Sequence, residues 1–239
     1  MATIAQSYPS AVERERQFFL YMAIALVVTT AGGFVRFLAI GHSSFDSPWW
    51  VHLHGISLMG WMMIYLLQNA LVARGSLALH RRLGVLAAAW SVWVLAMGMM
   101  VLAANTATGR TPPFFSAEYM IALDMCTVLG FLALTWGGIA MRTRSDWHKR
   151  LMLGGTIVLI GPGLGRFVPD SMLGETTSYL IFPGHLLFFL VAIAYDLRTR
   201  RQIHPAYVLG LLVLIVVTLL PNMIMNAPPL VALVSALKG

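Results

Sequence analysis

Two histidines stand in matching surroundings, and their chemistry suits the binding of a haem or a metal ion. His80 lies in Leu-His-Arg-Arg-Leu and His148 in Trp-His-Lys-Arg-Leu. Two imidazoles from neighbouring helices can hold a haem iron from opposite sides. We expect this pair to be axial ligands, with Arg81, Arg82 and Arg150 near the propionates. In the alternative interpretation, both motifs are interface anchors whose basic side chains reach lipid phosphates, or they serve partner docking or proton transfer.

A second group of histidines lies near the opposite ends of the apolar segments. His52 and His54 begin one segment, and His185 follows Pro183-Gly184 in another. Residues two apart on a helix diverge by about 200°, so His52 and His54 cannot both face the interior. His54 is favoured because it begins a polar and aromatic stripe at spacings of three and four. That stripe comprises His54, Ser57, Trp61, Tyr65 and Gln68.

Asp124 lies about 12 Å into its apolar segment by helical rise. A carboxyl group at this depth must pair, bind a cation or stay protonated. Arg36 and Arg166 are its candidate partners, and an ion pair of Asp124 with Arg166 would hold the helices together. Alternatively, these residues build a polar site at one side of the membrane. That site would contain Arg36, His54, Asp124, Arg166 and His185, with Glu118 near its rim.

The same residues leave the choice of cofactor open. His54 and His185 could hold a second haem, whereas His52 or His54 with His185 and Asp124 could supply ligands to zinc. A zinc ion with three protein ligands and one open position activates water for hydrolysis. Copper is a further alternative because the chain has 15 methionines, although methionine usually fills irregular cores. The single cysteine, Cys126, allows neither an intrachain disulfide nor a cysteine metal cage.

Seven apolar segments must position these side chains. A hydrocarbon core of roughly 30 Å requires about 17 to 25 apolar residues per helix. The composition is 59% hydrophobic and 10% charged, with a mean hydropathy of +0.78, so we expect an all-α polytopic membrane protein with helical spans. The fifth span should kink at Gly161-Pro162-Gly163. The spans are predicted at about 17–40, 50–73, 82–104, 116–140, 151–168, 177–196 and 206–225.

The distribution of basic residues predicts the orientation of this seven-helix bundle. Twelve of the 16 Lys and Arg residues fall in the N-terminal tail and in the second-to-third, fourth-to-fifth and sixth-to-seventh loops. The positive-inside rule then gives a cytoplasmic tail at 1–16, a single domain at 17–225 and an outer tail at 226–239, in the inner membrane. The basic loops suit anionic lipid rather than nucleic acid. Glycines on the fourth and fifth spans allow close helix packing, within one chain or in a homo-oligomer.

The motifs resemble those of an uncharacterised family of bacterial seven-helix membrane proteins, which implies the fold without an activity. The resemblance covers about residues 50 to 170. Its residues are Val51-His52-Leu53-His54-Gly55, Trp61, Gln68, His80-Arg81-Arg82-Leu83-Gly84, His148-Lys149-Arg150-Leu151-Met152 and Arg166.

The paired helix-end histidines are more loosely similar to those of b561-type cytochromes and ferric-reductase-like transmembrane domains. That similarity implies haem b between helices and electron transfer with a quinone or another redox partner. The seven-helix zinc hydrolases of the adiponectin-receptor and ceramidase kind are a second comparison, although their His-x-x-x-His spacing does not occur in this sequence. A non-enzymatic membrane binding or assembly protein is the third hypothesis.

Overall fold

A computed structural model describes residues 10–43 and 45–239, which are almost entirely α-helical and contain no β-strand within those ranges. Residues 1–9 of the predicted N-terminal tail lie outside the described residues. The helices are α1 (Ala11–Ala39), α2 (Trp49–Ala73), α3 (Leu77–Ala107), α4 (Ala117–Ala140), α5 (Ser145–Leu159), α6 (Gly161–Gly165), α7 (Thr177–Arg200), α8 (Pro205–Ile224) and α9 (Pro228–Lys238). A single 3-10 turn, Asp170–Met172, precedes α7.

In the described part of the chain, six helices are long and apolar enough to cross a membrane: α1, α2, α3, α4, α7 and α8. The prediction of a helical, multi-pass membrane protein is therefore confirmed at this level. Some helices extend beyond the predicted spans, as α1 and α3 do at their starts. α1 begins at Ala11, because Ser10 and Glu13 form a reciprocal capping box that satisfies its first N–H groups.

The predicted fifth span is divided into α5 and α6. α5 ends at Leu159, Ile160 links the two helices, and Pro162 lies in the first turn of α6, where its missing N–H is tolerated. The predicted break at Gly-Pro-Gly is confirmed. α5 is also the most enclosed helix, since nine of its 15 residues are buried. It packs against α4 and α8 and also touches α1 and α7.

Glycines let the helices approach closely, as expected for α4 and α5. A Cβ on Gly155 of α5 would lie 2.7 Å from the Thr135 hydroxyl oxygen of α4, and one on Gly130 would lie 2.8 Å from a methyl carbon of Val217 in α8. The short α9 folds back along α3 and α4, where Val234 is buried. The glycines therefore serve packing within one chain.

The bundle has two chemically different ends. The starts of α1, α3, α5 and α8 meet the ends of α2, α4 and α7 at the end that we call the basic end, because most of the arginines lie there. The opposite end holds the α1–α2 and α3–α4 loops and α6.

Candidate functional site

The two histidines of the repeated motif meet at the basic end. His80 is the fourth residue of α3 and His148 is the fourth residue of α5. Their ring centroids lie 6.2 Å apart, with an angle of 77° between the ring planes. His148 Nδ1 lies 2.8 Å from the carbonyl oxygen of Gly138 in the last turn of α4. Since a carbonyl only accepts, Nδ1 carries the proton and donates it, which leaves the lone pair on Nε2.

The separation of the two rings is compatible with two ligands on one iron or metal ion. Imidazole nitrogens at about 2.0–2.1 Å from a shared ion would place the ring centroids roughly 5 to 6.5 Å apart, with the largest separation for ligands on opposite sides. The observed 6.2 Å lies near that wide end. His148 also has the hydrogen bond from its other ring nitrogen that fixes the tautomer of many ligating histidines. Nδ1 of His80 is buried and finds no partner among the described residues.

The three arginines predicted to flank this pair have different surroundings. Arg81 and Arg82 are exposed at the start of α3, beside His80. Arg150 is directed away from the pair, towards Asp196 of α7. Its Nε and Nη2 donate to the two Asp196 carboxylate oxygens at 2.8 and 2.6 Å, and its Nη1 donates to the Asp146 carbonyl at 3.0 Å. Only Arg81 and Arg82 therefore remain available to a group held by the histidines.

Arg150 belongs to a buried charge cluster that the sequence analysis missed. The Arg150 and Asp196 side chains are both fully buried, with 0% exposure. Glu15 of α1 lies 3.3 Å from Arg150 Nη2 and 2.7 Å from Lys149 Nζ. The guanidinium also stands over the Tyr207 ring, 5.7 Å from its centroid. The available signal was Asp196 itself, the only acidic residue in the α7 sequence.

The polar stripe on α2 faces the interior as predicted, since Ser57, Trp61, Tyr65 and Gln68 are all buried. Ser57 has partners, because Trp93 Nε1 donates to its hydroxyl and Trp90 Nε1 to its carbonyl, both at 2.9 Å. Several other buried polar groups have no hydrogen-bond partner among the residues that the structure covers. They include the Trp61 indole N–H, the Tyr65 hydroxyl and the Gln68 amide on this stripe, and the Tyr207 hydroxyl on α8. Buried polar groups are usually paired, so this interior suits water or a polar ligand.

At the opposite end, the predicted metal ligands do not form one cluster. His52 Nε2 lies 3.1 Å from the Phe45 carbonyl oxygen, and the buried His185 places Nδ1 3.1 Å from the Ile181 carbonyl oxygen. His54 Nδ1 and His185 Nε2 are buried without a hydrogen-bond partner in the described ranges. Among residues 10–43 and 45–239, no three His, Cys, Asp or Glu side chains gather closely enough to hold a metal ion.

The predicted ion pair of Asp124 is not formed either: this carboxylate has no salt bridge within the described chain. The two arginines bind backbone carbonyls instead. Arg36 Nη1 donates to the Arg166 carbonyl at 2.6 Å, and Arg166 Nη1 donates to the Pro162 carbonyl at 2.6 Å. These carbonyls become available where α6 ends, which explains why they attract the guanidinium groups. Glu118 lies half-buried in the first turn of α4.

One titratable group in a loop is well defined. His204 caps α8, since Ala206 N–H donates to its Nδ1 at 3.2 Å, and its Nε2 therefore donates to Asp146 Oδ2 at 3.2 Å. Burial holds the pKa of His204 below its ordinary value, although the neighbouring Asp146 acts in the opposite direction. The neutral imidazole thus joins α5 to α8 at the basic end.

No family model, no curated protein and no solved structure matches this chain.

Proposed function

We propose that this protein is a membrane redox protein that holds haem b between His80 and His148. The supporting observation is the 6.2 Å approach of two imidazole rings that occupy the same position in α3 and α5. Histidine is a common axial ligand of haem iron, and two histidines on neighbouring helices can approach the iron from opposite sides. When bound, the haem supplies a one-electron carrier at the basic end of the bundle.

Each nearby residue has a distinct part in this proposal. The Gly138 carbonyl keeps the proton of His148 on Nδ1 and so directs the Nε2 lone pair to the ligand position. Arg81 and Arg82 are exposed beside His80, where they can bind the propionates. The unpartnered Gln68 amide and Tyr65 hydroxyl lie on the stripe of α2 that leads into the bundle from this end. They offer hydrogen bonds to water or to a quinone headgroup.

The same proposal includes seven membrane crossings, with α5 and α6 together as the fifth. In this arrangement the basic end faces the cytoplasm of a bacterial inner membrane, and α9 lies outside. The concentration of arginine at one end supports it through the positive-inside rule. Electrons would pass from a cytoplasmic donor or a quinol towards the outer face.

The visible spectrum of protein produced with an ample haem supply tests the proposal. We expect a Soret band and about one haem iron per chain, both lost in His80→Ala and in His148→Ala because each variant removes one axial ligand. His52→Ala is the matched control, since it changes a histidine at the opposite end and should keep the spectrum. Wild-type protein without haem, or full haem content in both variants, would overturn the proposal.

A further inference from the structure

A cleft on the side of the bundle combines apolar walls with one arginine. It has a volume of about 520 Å³ and lies between α1, α2 and the α5–α6 break. We call it the lateral cleft and define it by Phe34, Leu38, His52, Ile56, Met59 and Arg166. Ile56 is 65% exposed and Leu38 is 45% exposed, so the rim of the cleft presents apolar side chains on the outside of the bundle.

The arginine in this cleft has no acidic partner. The Arg166 guanidinium stacks 3.7 Å from the centroid of the Phe34 ring, and its buried Nε has no hydrogen-bond partner among the described residues. Neither Arg166 nor Arg36, which binds its carbonyl, forms a salt bridge in the part of the chain that the structure covers. His54 is close enough to Arg166 to interact with it electrostatically, and an imidazole can be neutral or positive but never negative.

A cation in an apolar cleft carries a large desolvation cost unless an anion approaches it. Among the described residues no carboxylate forms a salt bridge with Arg166, whereas a surrounding bilayer can supply an anionic headgroup. An anionic headgroup can accept two charge-assisted hydrogen bonds from a guanidinium, and acyl chains match the apolar wall of Phe34, Leu38, Ile56 and Met59. The arginine and the apolar wall of the cleft therefore match the charged headgroup and the acyl chain of one lipid molecule.

We propose that the lateral cleft is a binding site for an anionic phospholipid, with the phosphate on Arg166 and one acyl chain between α1 and α2. This proposal is independent of haem binding and needs no redox activity. It assigns a role to Arg166 that does not require the Asp124 ion pair.

Binding to purified protein in a neutral detergent tests this site. The probes are short-chain phosphatidylglycerol, phosphatidylcholine of the same chain length, and inorganic phosphate. We expect phosphatidylglycerol to bind about tenfold more tightly than phosphatidylcholine, which corresponds to one charge-assisted contact. Arg166→Gln should bring the two affinities to within about twofold. Arg110→Gln is the matched control, because Arg110 is exposed in the α3–α4 loop and does not line the cleft.

A second variant tests the cleft without changing a charge. A Cβ on Gly55 would meet no heavy atom within 4 Å, so the first atom of a larger side chain fits there, and we choose Gly55→Trp to place a bulky side chain in the cleft. We expect this variant to bind both lipids more weakly than the wild type does, while its melting temperature and its elution volume stay unchanged. Equal affinity for the two lipids in the wild type would overturn the proposal. Competition by millimolar inorganic phosphate as strong as that by phosphatidylglycerol would also overturn it, because the site would then recognise a free anion.

Discussion

At the scale of single residues, the contact between Arg150 and Asp196 carries a large desolvation cost, because both side chains are fully buried. Two fully buried charges lose their hydration, and only excellent geometry offsets that loss. Here the contact is bidentate, and the Asp146 carbonyl and Glu15 occupy further donors of the guanidinium. If one residue of the pair is replaced, the charge of the other stays buried without a partner. The effect of replacing Arg150 on stability should therefore depend strongly on whether Asp196 is present.

We predict that Arg150→Met lowers the free energy of unfolding by about 3–5 kcal/mol, because it leaves the Asp196 carboxylate buried and unpaired. Asp196→Leu alone should cost a similar amount. The double variant should recover most of the loss, since apolar side chains can replace such a pair. Denaturant unfolding in detergent measures each step, and Arg198→Gln, an exposed arginine of α7, is the control. A change below about 1 kcal/mol in Arg150→Met would contradict this prediction.

At this scale, contacts and burial could be predicted from the sequence where they depend on residues a few positions apart in the chain. The stripe from Ser57 to Gln68 is fixed by helical periodicity, so its burial could be predicted from spacing alone. The ion pair joins positions 46 residues apart, and which of the many basic residues would meet Asp196 depends on how the helices pack. The ion pair of Asp124 with Arg166, one of two alternatives considered for that carboxyl group, is not formed, and Arg36 and Arg166 donate to backbone carbonyls at α6 instead.

At the scale of the helices, the crossing of α1 and α6 depends on two glycines. A Cβ on Gly33 would overlap the Gly163 carbonyl oxygen, and a Cβ on Gly163 would lie 2.7 Å from the Thr30 Cα. Both contacts are with backbone atoms, which cannot move aside as a flexible side chain can. The Gly-Pro-Gly sequence therefore both breaks the fifth segment and lets α1 approach it.

Adjacent glycines of α1 provide a direct test of this crossing. We predict that Gly33→Ala destabilises the protein by about 1–3 kcal/mol through overpacking against α6. Gly32→Ala should be neutral or stabilising by about 0.5–1 kcal/mol, because alanine favours the helix and the nearest atom to its Cβ lies at an ordinary 3.7 Å. Thermal unfolding of the two variants side by side gives the comparison. Equal stabilities would show that α1 and α6 separate at little cost.

At the scale of the whole molecule, the α5–α6 segment decides the topology. Six helices qualify as spans on length and apolarity, and α5 with 15 residues is too short alone. Helical spans could be predicted because a bilayer leaves a chain few alternatives. The enclosed position of α5 and the return of α9 could not be predicted, since they arise from contacts between distant helices.

Single-cysteine labelling tests the proposed seven crossings. In a Cys126→Ser background, which removes a buried thiol, we predict that a membrane-impermeant maleimide added to intact cells modifies Thr108→Cys and Lys238→Cys. Thr143→Cys, in the α4–α5 loop, should react only after the cells are opened. If the C-terminal position reacts only in opened cells, the α5–α6 segment does not cross and six crossings remain.

The burial of α5 also constrains the order in which this protein can be made. Its first six residues include Asp146, Lys149 and Arg150, and the carboxylate that neutralises Arg150 is 46 residues further along the chain. During synthesis α5 therefore emerges after Glu15, its first counter-charge, but before Asp196, which makes the bidentate contact with Arg150. We therefore expect α5 to reach its enclosed, fully paired position only after Asp196 has been synthesised.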